Sequence, residues 1–418
     1  MDVKNHGILR LMHGVAAVAL LTSPAVAAEV EVMHWWTSGG EQAAVTVFAE
    51  ELNASGEDSW VDTAVAGGPN ARAAIMQRTL GGDPPDAAQF NPGRQYEELI
   101  EAGLLLDLTE LAEAEGWADV VQPEAIFAPC VKDGRVWCVP VNIHSWQWGW
   151  ASLPVFEQSG VPVPATLAEF LESAPAIQEA GFIPFAIGGE SWQHSGALQV
   201  VLLSQIGAEG YNRLYRDRDT EYARGPEVAA ALQMWRDLTS YTDEGAGNRN
   251  WNDTTNLVIT DRAALQIMGD WARGEFALAG EVPGTDYECL PGGPSENPYL
   301  DTGGDIFLFP KQDDPEVEAA QLRLASLMIS PRVQTLFNLA KGSLPVRADV
   351  DLSLADACMT KGLEILSNAD SVVPALNNFF TEDTTGQFND LWSEFSFNTD
   401  LSIEEAQDRF AEIIETAD

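Results

Sequence analysis

Hydrophobic and polar positions in the amino-terminal part of the chain switch between the period of a strand and that of a helix. Residues 30–36 alternate as a strand does, and residues 42–52 carry apolar side chains at helical spacing. The elements predicted in order are strand 30–36, helix 42–52, strand 60–65, helix 70–80 and strand 84–90. Because strands and helices alternate, the pattern predicts an α/β fold with a parallel sheet covered by helices on both faces.

The rest of the chain is richer in helical periodicity. Further helices are predicted at residues 166–178, 197–206, 225–239, 317–329 and 332–340. Three stretches are interpreted as passages between two lobes: the extended residues 139–146, the Pro- and Gly-rich residues 291–298 ahead of a strand at 305–311, and the interruption at 342–346. The predicted lobes are residues 29–142 with 303–345 and residues 143–302 with 346–418, and the ligand cleft is expected between them.

Residues 1–28 have the three parts of an export signal. Lys4 and Arg10 form the positive end, residues 14–21 the short apolar run, and residues 25–28 a small-residue cleavage site. The apolar run is too short to span a bilayer, and no later stretch of the sequence has the length of a membrane helix. We therefore expect a mature protein that begins near Ala28 or Glu29 and lies outside the inner membrane, in the periplasm.

Composition narrows the class of partner. The 418 residues carry 64 acidic and 22 basic side chains, a formal charge of −42, which argues against nucleic acid or an anionic membrane as a partner. A hydrophobic content of 45% argues against disorder. About 390 residues remain after the signal, a comfortable length for two domains.

Four cysteines are consistent with export. Cys130 and Cys138 flank a turn sequence between two strand-like runs, so a disulfide that closes a hairpin is expected there. Cys289 and Cys358 would then form the second bridge, although four cysteines permit three pairings. With no C-x-x-C spacing and only scattered histidines, neither a metal nor another cofactor is expected.

The most informative local feature is the pair Trp35-Trp36 at the end of the first strand, followed by two glycines and Glu41. Indole faces are apolar plates on which a sugar ring can lie, and a carboxylate accepts hydrogen bonds from its hydroxyls. The alternative is core packing, but neighbouring strand residues point to opposite faces, so both indoles are buried only where the strand is covered or bends. Gln89 and Asn91 lie at the carboxyl end of the third strand, at the same edge, where parallel sheets bind ligands.

Several other aromatic and polar side chains could serve either in packing or in ligand contact. His144, Trp146, Trp148 and Trp150 alternate with period two, which favours packing against the hinge over contact with a ligand. Three further side chains are candidates for the site: His194 at the pocket rim, Trp251 in a polar loop, and Trp271, which fits the core equally well.

Six segments, in order along the chain, resemble the sugar-binding subunits of bacterial ABC importers, which are two-lobed periplasmic binding proteins of the extracellular solute-binding protein family 1. The matching segments are residues 32–41, 84–89, 140–145, 248–252, 268–271 and 337–347. Within that family the chain is most similar to the glucose/mannose-binding branch. The resemblance implies an α/β fold in which each lobe is a mostly parallel sheet flanked by helices, with a hinge made of several chain crossings.

The resemblance also implies a pocket between the lobes, where aromatic rings sandwich a sugar and polar side chains bind its hydroxyls. The implied binding residues are Trp35, Trp36, Glu41, Gln89, Asn91, Trp251, Trp271, Asp305, Lys341 and Asn378. Asn91 stands where the family tends to have His or Lys, and residues 374–378 replace a run that contains a His. Because unpaired polar groups are costly in a buried site, this changed donor set leaves glucose itself open as the ligand.

The expected function is therefore capture without catalysis. A monosaccharide or a small sugar derivative bridges the lobes, the hinge closes, and a monomeric protein presents the sugar to a permease with its ATPase. One alternative is a secreted glycoside hydrolase, which needs two carboxyl groups roughly 5–9.5 Å apart, a role that Glu41 and Asp305 would fill. Another is a sugar-binding protein that serves chemotaxis or adhesion, which shares the binding step and differs in its partner.

Overall fold

The structure is a computed structural model that describes Met1 and residues 28–417. The predicted export signal lies outside these described residues, apart from its two ends. Within residues 28–417, none of the helices combines the length and the apolar character needed to cross a bilayer.

Strands and helices are both found throughout the described chain. The strands are β1 (Ala28–His34), β2 (Asp58–Ala64), β3 (Ala87–Phe90), β4 (Val131–Lys132), β5 (Arg135–Val136), β6 (Val139–Pro140), β7 (Trp148–Ser152), β8 (Ile183–Ala186), β9 (Ala263–Ile267), β10 (Tyr287–Pro291), β11 (Leu300–Asp301), β12 (Ile306–Leu308) and β13 (Val372–Val373). The helices of the first half are α1 (Gly39–Ser55), α2 (Gly68–Gly81), α3 (Glu97–Glu101), α4 (Thr109–Glu115), α5 (Trp117–Val120), α6 (Glu124–Phe127), α7 (Leu153–Gln158), α8 (Leu167–Glu179) and α9 (Ser191–Tyr215). Those of the second half are α10 (Thr220–Ala223), α11 (Pro226–Thr239), α12 (Trp251–Ile259), α13 (Ala272–Ala279), α14 (Pro315–Ile329), α15 (Pro331–Lys341), α16 (Ala357–Leu366), α17 (Glu382–Phe397) and α18 (Ile403–Thr416).

The first lobe is built on a five-stranded sheet with the order β2-β1-β3-β12-β6. β1 is parallel to β2 and β3, whereas β12 is antiparallel to β3 and β6. The core of this lobe joins strand residues such as Val32 and Phe307 to Phe48 of α1 and Phe337 of α15, all of them fully buried. Ser38 and Glu41 form a reciprocal capping box at the start of α1, which fixes this helix directly after the tryptophan pair.

The second lobe is built on a four-stranded sheet with the order β10-β7-β9-β8. Only β8 and β9 run parallel among its pairings, since β7 is antiparallel to both β9 and β10. The helices α9, α11, α17 and α18 pack together beside this sheet around buried residues such as Trp235 and Phe388. The predicted α/β class with helices flanking two sheets is confirmed. The expectation of mostly parallel sheets is wrong, because each sheet mixes parallel and antiparallel pairs.

Three chain segments meet between the sheets. The Val141 and His144 amides donate to the carbonyls of Asp305 and Gly303, at 3.0 and 3.2 Å. Ile143 and Leu344 exchange backbone hydrogen bonds of 2.7 and 2.9 Å. These hydrogen bonds tie the segments together where the chain changes sheets. The lobe boundaries given above stay a prediction.

Two disulfides brace the lobes. Cys130 and Cys138 are bonded across the hairpin of β4 and β5, with their Cα atoms 5.0 Å apart. Cys289 of β10 is bonded to Cys358 of α16, with a Cα separation of 5.8 Å. Both pairings agree with the arrangement that loop proximity favours.

Candidate functional site

A cavity of about 620 Å³ lies between the two lobes. Its walls come from strand ends and helix ends of the first lobe, from β7-flanking and α9 residues of the second, and from the crossing segments. Six tryptophans contribute to these walls among the described residues. The indoles that line the cavity are those of Trp35, Trp36, Trp146, Trp192, Trp251 and Trp271.

The two adjacent tryptophans of the first lobe differ in exposure and packing. Trp35 is partly exposed, and the Arg72 guanidinium lies 5.4 Å from the centre of its ring. Trp36 also lines the cavity, yet it is only 1% exposed because it packs against Phe307 and Phe337, with ring centroids 5.7 and 5.3 Å apart. The bend after β1 therefore presents Trp35 as a platform and anchors Trp36 in the core.

A buried ion pair lies at the base of the cavity. Lys341 Nζ, at the end of α15, is 3.5 Å from Glu41 Oε1, in the first turn of α1. Burial raises the pKa of Glu41, and the Lys341 charge works against that rise. The Lys341 ammonium is also 5.9 Å from the ring centres of both Trp36 and Trp271. These residues place a donor and an acceptor next to two aromatic surfaces.

Asp305 is the centre of a second buried network. Its oxygens accept hydrogen bonds of 2.8 Å from Gln89 Nε2 and of 2.8 Å from Asn142 Nδ2. His144 Nε2 lies 3.1 Å from Asp305 Oδ2. Burial opposes ionisation of Asp305, but His144, Lys341 and Asn142 outweigh it and lower the pKa to about 2. Burial likewise disfavours the His144 imidazolium, but the Asp305 carboxylate raises the pKa of that ring above its usual value.

The second lobe and the first crossing supply an aromatic cluster. Trp271 meets His144 and Trp146 edge-to-face, with ring centroids 5.1 and 4.9 Å apart. Trp192 of α9 lies 5.3 Å from Trp146. Glycine is needed beside this cluster, because a Cβ on Gly196 would be 2.3 Å from the Trp146 ring. Trp251 lines the cavity from the first position of α12.

The polar residues predicted at the ends of the strands differ in position. Asn91 lines the cavity, donates to the Gly304 carbonyl at 3.0 Å and accepts from Arg72 at 3.3 Å. Gln89 is fully buried behind the wall, where it accepts from the Trp35 amide at 3.0 Å. Among the described residues that line the cavity, Asn377 is present and Asn378 is not.

Eight of the ten residues predicted for the site therefore line the cavity, and Gln89 and Asn378 do not. Their contact with a ligand stays a prediction. Gln89 belongs to the support of Asp305 and Trp35 instead. In the carboxyl-terminal segment the neighbouring residue, Asn377, lines the cavity in place of Asn378.

Several residues that line the cavity were not predicted from the sequence. Arg72, Tyr211 and Asp301 carried no local signal, since each becomes part of the site only through packing of distant elements. His194 is fully buried and does not line the cavity in the described chain, so its expected place at the rim is wrong. Its neighbour Trp192 lines the cavity instead.

The alternating tryptophans split into two groups, which corrects their common assignment to hinge packing. Trp146 lines the cavity, whereas Trp148 and Trp150 are at most 1% exposed and stack in the core 5.6 Å apart. The Trp148 amide donates to the Trp146 carbonyl at 2.7 Å, so a tight turn separates the two groups. His144 also lines the cavity.

The buried carboxyl of Asp301 predicts a pH dependence of stability. Burial raises its pKa to about 6, partly offset by Ser145 and His144. The unfolded chain would ionise at about 3.9, so between about pH 4 and 6 the folded state binds more protons and the free energy of unfolding falls as pH rises, by up to roughly 3 kcal/mol. We expect Asp301→Asn to lose this slope, as measured by urea unfolding of both proteins at pH 4.5, 5.5 and 6.5. Parallel pH profiles would contradict the assignment.

The two lobes touch on both margins of the cavity. On one margin the Gly40 amide donates to Glu275 at 2.8 Å, and Arg273 donates to the Asn338 carbonyl at 3.0 Å. On the other, Arg72 and Gln95 both donate to the Glu382 carboxylate. The arrangement corresponds to a closed cleft.

Comparison with known proteins agrees with this geometry. A sequence model of the family described as bacterial extracellular solute-binding protein matches residues 37–334. A Rhizobium meliloti (strain 1021) protein named "Probable sugar-binding periplasmic protein" is 38% identical over 360 residues, or 85% of this chain and 86% of that protein. A solved chitin oligosaccharide binding protein has a TM-score of 0.77 at 18% identity, covering 93% of this chain and 98% of its own. The bacterial solute receptor AcbH, described as having an exclusive substrate preference for β-D-galactopyranose, has a TM-score of 0.77 at 18% identity, covering 93% and 99%.

The chain belongs to the bacterial extracellular solute-binding protein family. It is a periplasmic binding protein and not an enzyme, as the sequence predicted. The two-lobed fold is confirmed by the solved structures, and the assignment to the glucose/mannose branch stays a prediction.

Proposed function

We propose that this protein captures a monosaccharide or a small sugar derivative, similar to glucose or mannose, and delivers it to the permease and ATPase of an ABC importer. The observation that carries the proposal is the convergence of indoles from both lobes on one cavity of about 620 Å³. Pyranose rings stack on such indoles, and the charged and amide side chains between them bind hydroxyls. The site residues are those of the predicted set that line the cavity, with Arg72, His144, Trp146, Trp192 and Asp301 added.

The related proteins support a sugar as the solute and leave its size open. The Rhizobium meliloti relative is named as a sugar-binding protein, one structural neighbour as a chitin oligosaccharide binder and another as a receptor for a single galactopyranose. The cavity equals roughly twenty water volumes at about 30 Å³ each. That space holds a monosaccharide with ordered water around it, and the experiment below extends to disaccharides for this reason.

Capture works through closure of the cleft. Residues of both lobes line the cavity, so a sugar that touches both favours the closed form over the open one. Moving the closed form from rare to dominant requires a difference in binding free energy of about 5.5 kcal/mol. Stacking on two or more indoles together with charge-assisted hydrogen bonds supplies energies of that order. The closed shape is then the form that the permease binds, with the protein acting as a monomer.

The geometry does not favour hydrolysis. A glycosidase needs one carboxylate free to attack or to activate water. Asp305 is instead held by hydrogen bonds from Gln89 and Asn142, one to each of its oxygens, and His144 Nε2 lies 3.1 Å from Oδ2. Its role is to orient neighbouring donors around a ligand that leaves unchanged.

A direct binding measurement tests the proposal. Calorimetric titration with glucose, mannose, galactose, xylose and common disaccharides is expected to give saturable binding of at least one sugar. The same sugar at a hundredfold excess over its Kd is expected to stabilise the protein by about 2.7 kcal/mol, seen as a raised melting temperature. Binding of none of these sugars would overturn the proposed function. Loss of sugar uptake on deletion of the gene would separate transport from chemotaxis or adhesion.

A further inference from the structure

Among the described residues that line the cavity, Arg72 is a basic residue that lies against the Trp35 ring. It belongs to α2 of the first lobe, lines the cavity, and holds its guanidinium 5.4 Å from the centre of the Trp35 ring. Its side chain is only 13% exposed. A ligand stacked near Trp35 is therefore within reach of this group, and a bare guanidinium there would bind a carboxylate in a bidentate manner.

The Arg72 guanidinium is already paired with a carboxylate of the other lobe. Arg72 Nη2 forms an ion pair with Oε1 of Glu382, the first residue of α17. The second oxygen of Glu382 accepts from Gln95 Nε2 at 2.6 Å. Nη1 of Arg72 donates to Asn91 Oδ1 at 3.3 Å. Glu382 is thus held from two sides by the first lobe, and it fixes the guanidinium in one orientation.

The other basic side chains that line the cavity within the described chain also face carboxylates. Among the described residues that line it, Lys341 faces Glu41 at 3.5 Å and His144 faces Asp305 at 3.1 Å. Two more carboxylates, Glu190 and Asp301, also line the walls. A ligand that brings its own negative charge would meet paired cations and additional acids, so like-charge repulsion opposes it. A neutral ligand meets donors and acceptors without that penalty.

We propose that Glu382 is a positioning residue that makes this site select neutral sugars over sugar acids, by holding the Arg72 charge across the mouth of the closed cavity. The inference rests on the proposed function, because it concerns which sugar the same cavity accepts. Glu382 itself does not line the cavity in the described chain and acts through Arg72.

The readout is a ratio of affinities, since a purely structural role would weaken all ligands alike. Calorimetry would compare D-glucose with D-glucuronate, D-galactose with D-galacturonate, and D-mannose with D-mannuronate. Where no binding is detected, the weakest Kd that the calorimeter can detect is used in the ratio. In Glu382→Gln the advantage of the neutral sugar over its acid is expected to fall at least tenfold, equal to about 1.4 kcal/mol. Glu382→Asp keeps the charge and is expected to keep most of the advantage.

Another arginine of α2 provides a matched control. Arg78 of α2 forms a two-point ion pair with Glu31 of β1, at 2.7 and 2.8 Å, within the first lobe. Glu31→Gln removes a comparable pairing away from the cavity and is expected to leave the ratio unchanged. In an Arg72→Gln background, Glu382→Gln is expected to have no further effect on the ratio, because the two residues act as one unit.

The outcomes separate the two proposals. An unchanged ratio in Glu382→Gln, with the neutral sugar still bound, overturns the role of Glu382 and leaves sugar binding intact. A wild-type preference for the acid also overturns it. If the wild type binds none of the six sugars, xylose or the disaccharides, the proposed function is overturned, and this inference with it. If it binds xylose or a disaccharide and none of the six, this inference alone is overturned.

Discussion

Replacing Asp305 by alanine is expected to lower the free energy of unfolding by about 3–5 kcal/mol, because it leaves buried donors without their shared acceptor. Gln89, Asn142 and His144 all direct nitrogen atoms at this carboxylate, which is 1% exposed. Since the free energy of unfolding of a native protein is only about 5–15 kcal/mol, this loss is a large fraction of the stability. Urea unfolding at pH 7 followed by circular dichroism measures it as a lower midpoint at unchanged slope.

Asp313 provides the control for this change. It is an exposed aspartate eight positions further along the chain, so Asp313→Ala is expected to change stability by no more than about 0.5 kcal/mol. The network predicts a second effect in Asp305→Ala: His144 loses the carboxylate that raises its pKa, so the ring titrates at a lower pH. A loss of stability below 1 kcal/mol, or an unaltered His144 titration by NMR, would contradict the network.

The order of elements in the first lobe was predictable because its signals are local. The periodicity that predicted strand 30–36 and helix 42–52 corresponds to β1 (Ala28–His34) and α1 (Gly39–Ser55). The direction of β12 was not predictable in the same way. β12 enters the first sheet after the chain returns from the second lobe, and nothing in its own three residues specifies antiparallel pairing with β3 and β6. Mixed sheets therefore follow from the crossings and not from strand composition.

The site was predictable where a residue lies at the end of an element. Trp35, Glu41 and Lys341 mark the end of β1, the start of α1 and the end of α15, and all three line the cavity. Arg72 lies inside α2, and its position resembles that of any solvent-facing arginine in the sequence. Only the packing of α17 against the mouth of the cavity reveals its partner Glu382, 310 positions away.

The period-two spacing of the tryptophans at the first crossing assigned all of them to one role, and this assignment was wrong. Trp146, Trp148 and Trp150 share one face only if the segment stays extended, and the turn between Trp146 and Trp148 breaks that condition. Backbone hydrogen bonds of this kind leave no trace in hydrophobicity. Residues near a hinge are therefore where sequence periodicity is least informative.

Trp271 is the side chain whose loss should weaken sugar binding most. It is 7% exposed and lines the cavity, and its ring contacts the aromatic groups of His144 and Trp146. The Lys341 ammonium is 5.9 Å from its ring centre. Trp271 thus lies next to both the aromatic cluster and the Lys341 ammonium. A central buried aromatic of this type commonly accounts for about 2–4 kcal/mol of binding free energy.

Trp271→Ala is accordingly expected to raise the Kd for the bound sugar roughly 30- to 1000-fold, and Trp271→Phe, which keeps an aromatic surface, about tenfold. Calorimetric titration at a temperature well below the unfolding transition of each variant measures the change. Trp60→Ala is the matched control, because Trp60 stacks on Phe48 with ring centroids 6.5 Å apart and lies outside the described residues that line the cavity. Equal weakening in Trp60→Ala and Trp271→Ala would mean that the loss comes from general destabilisation, and an unchanged Kd in Trp271→Ala would remove this indole from the binding surface.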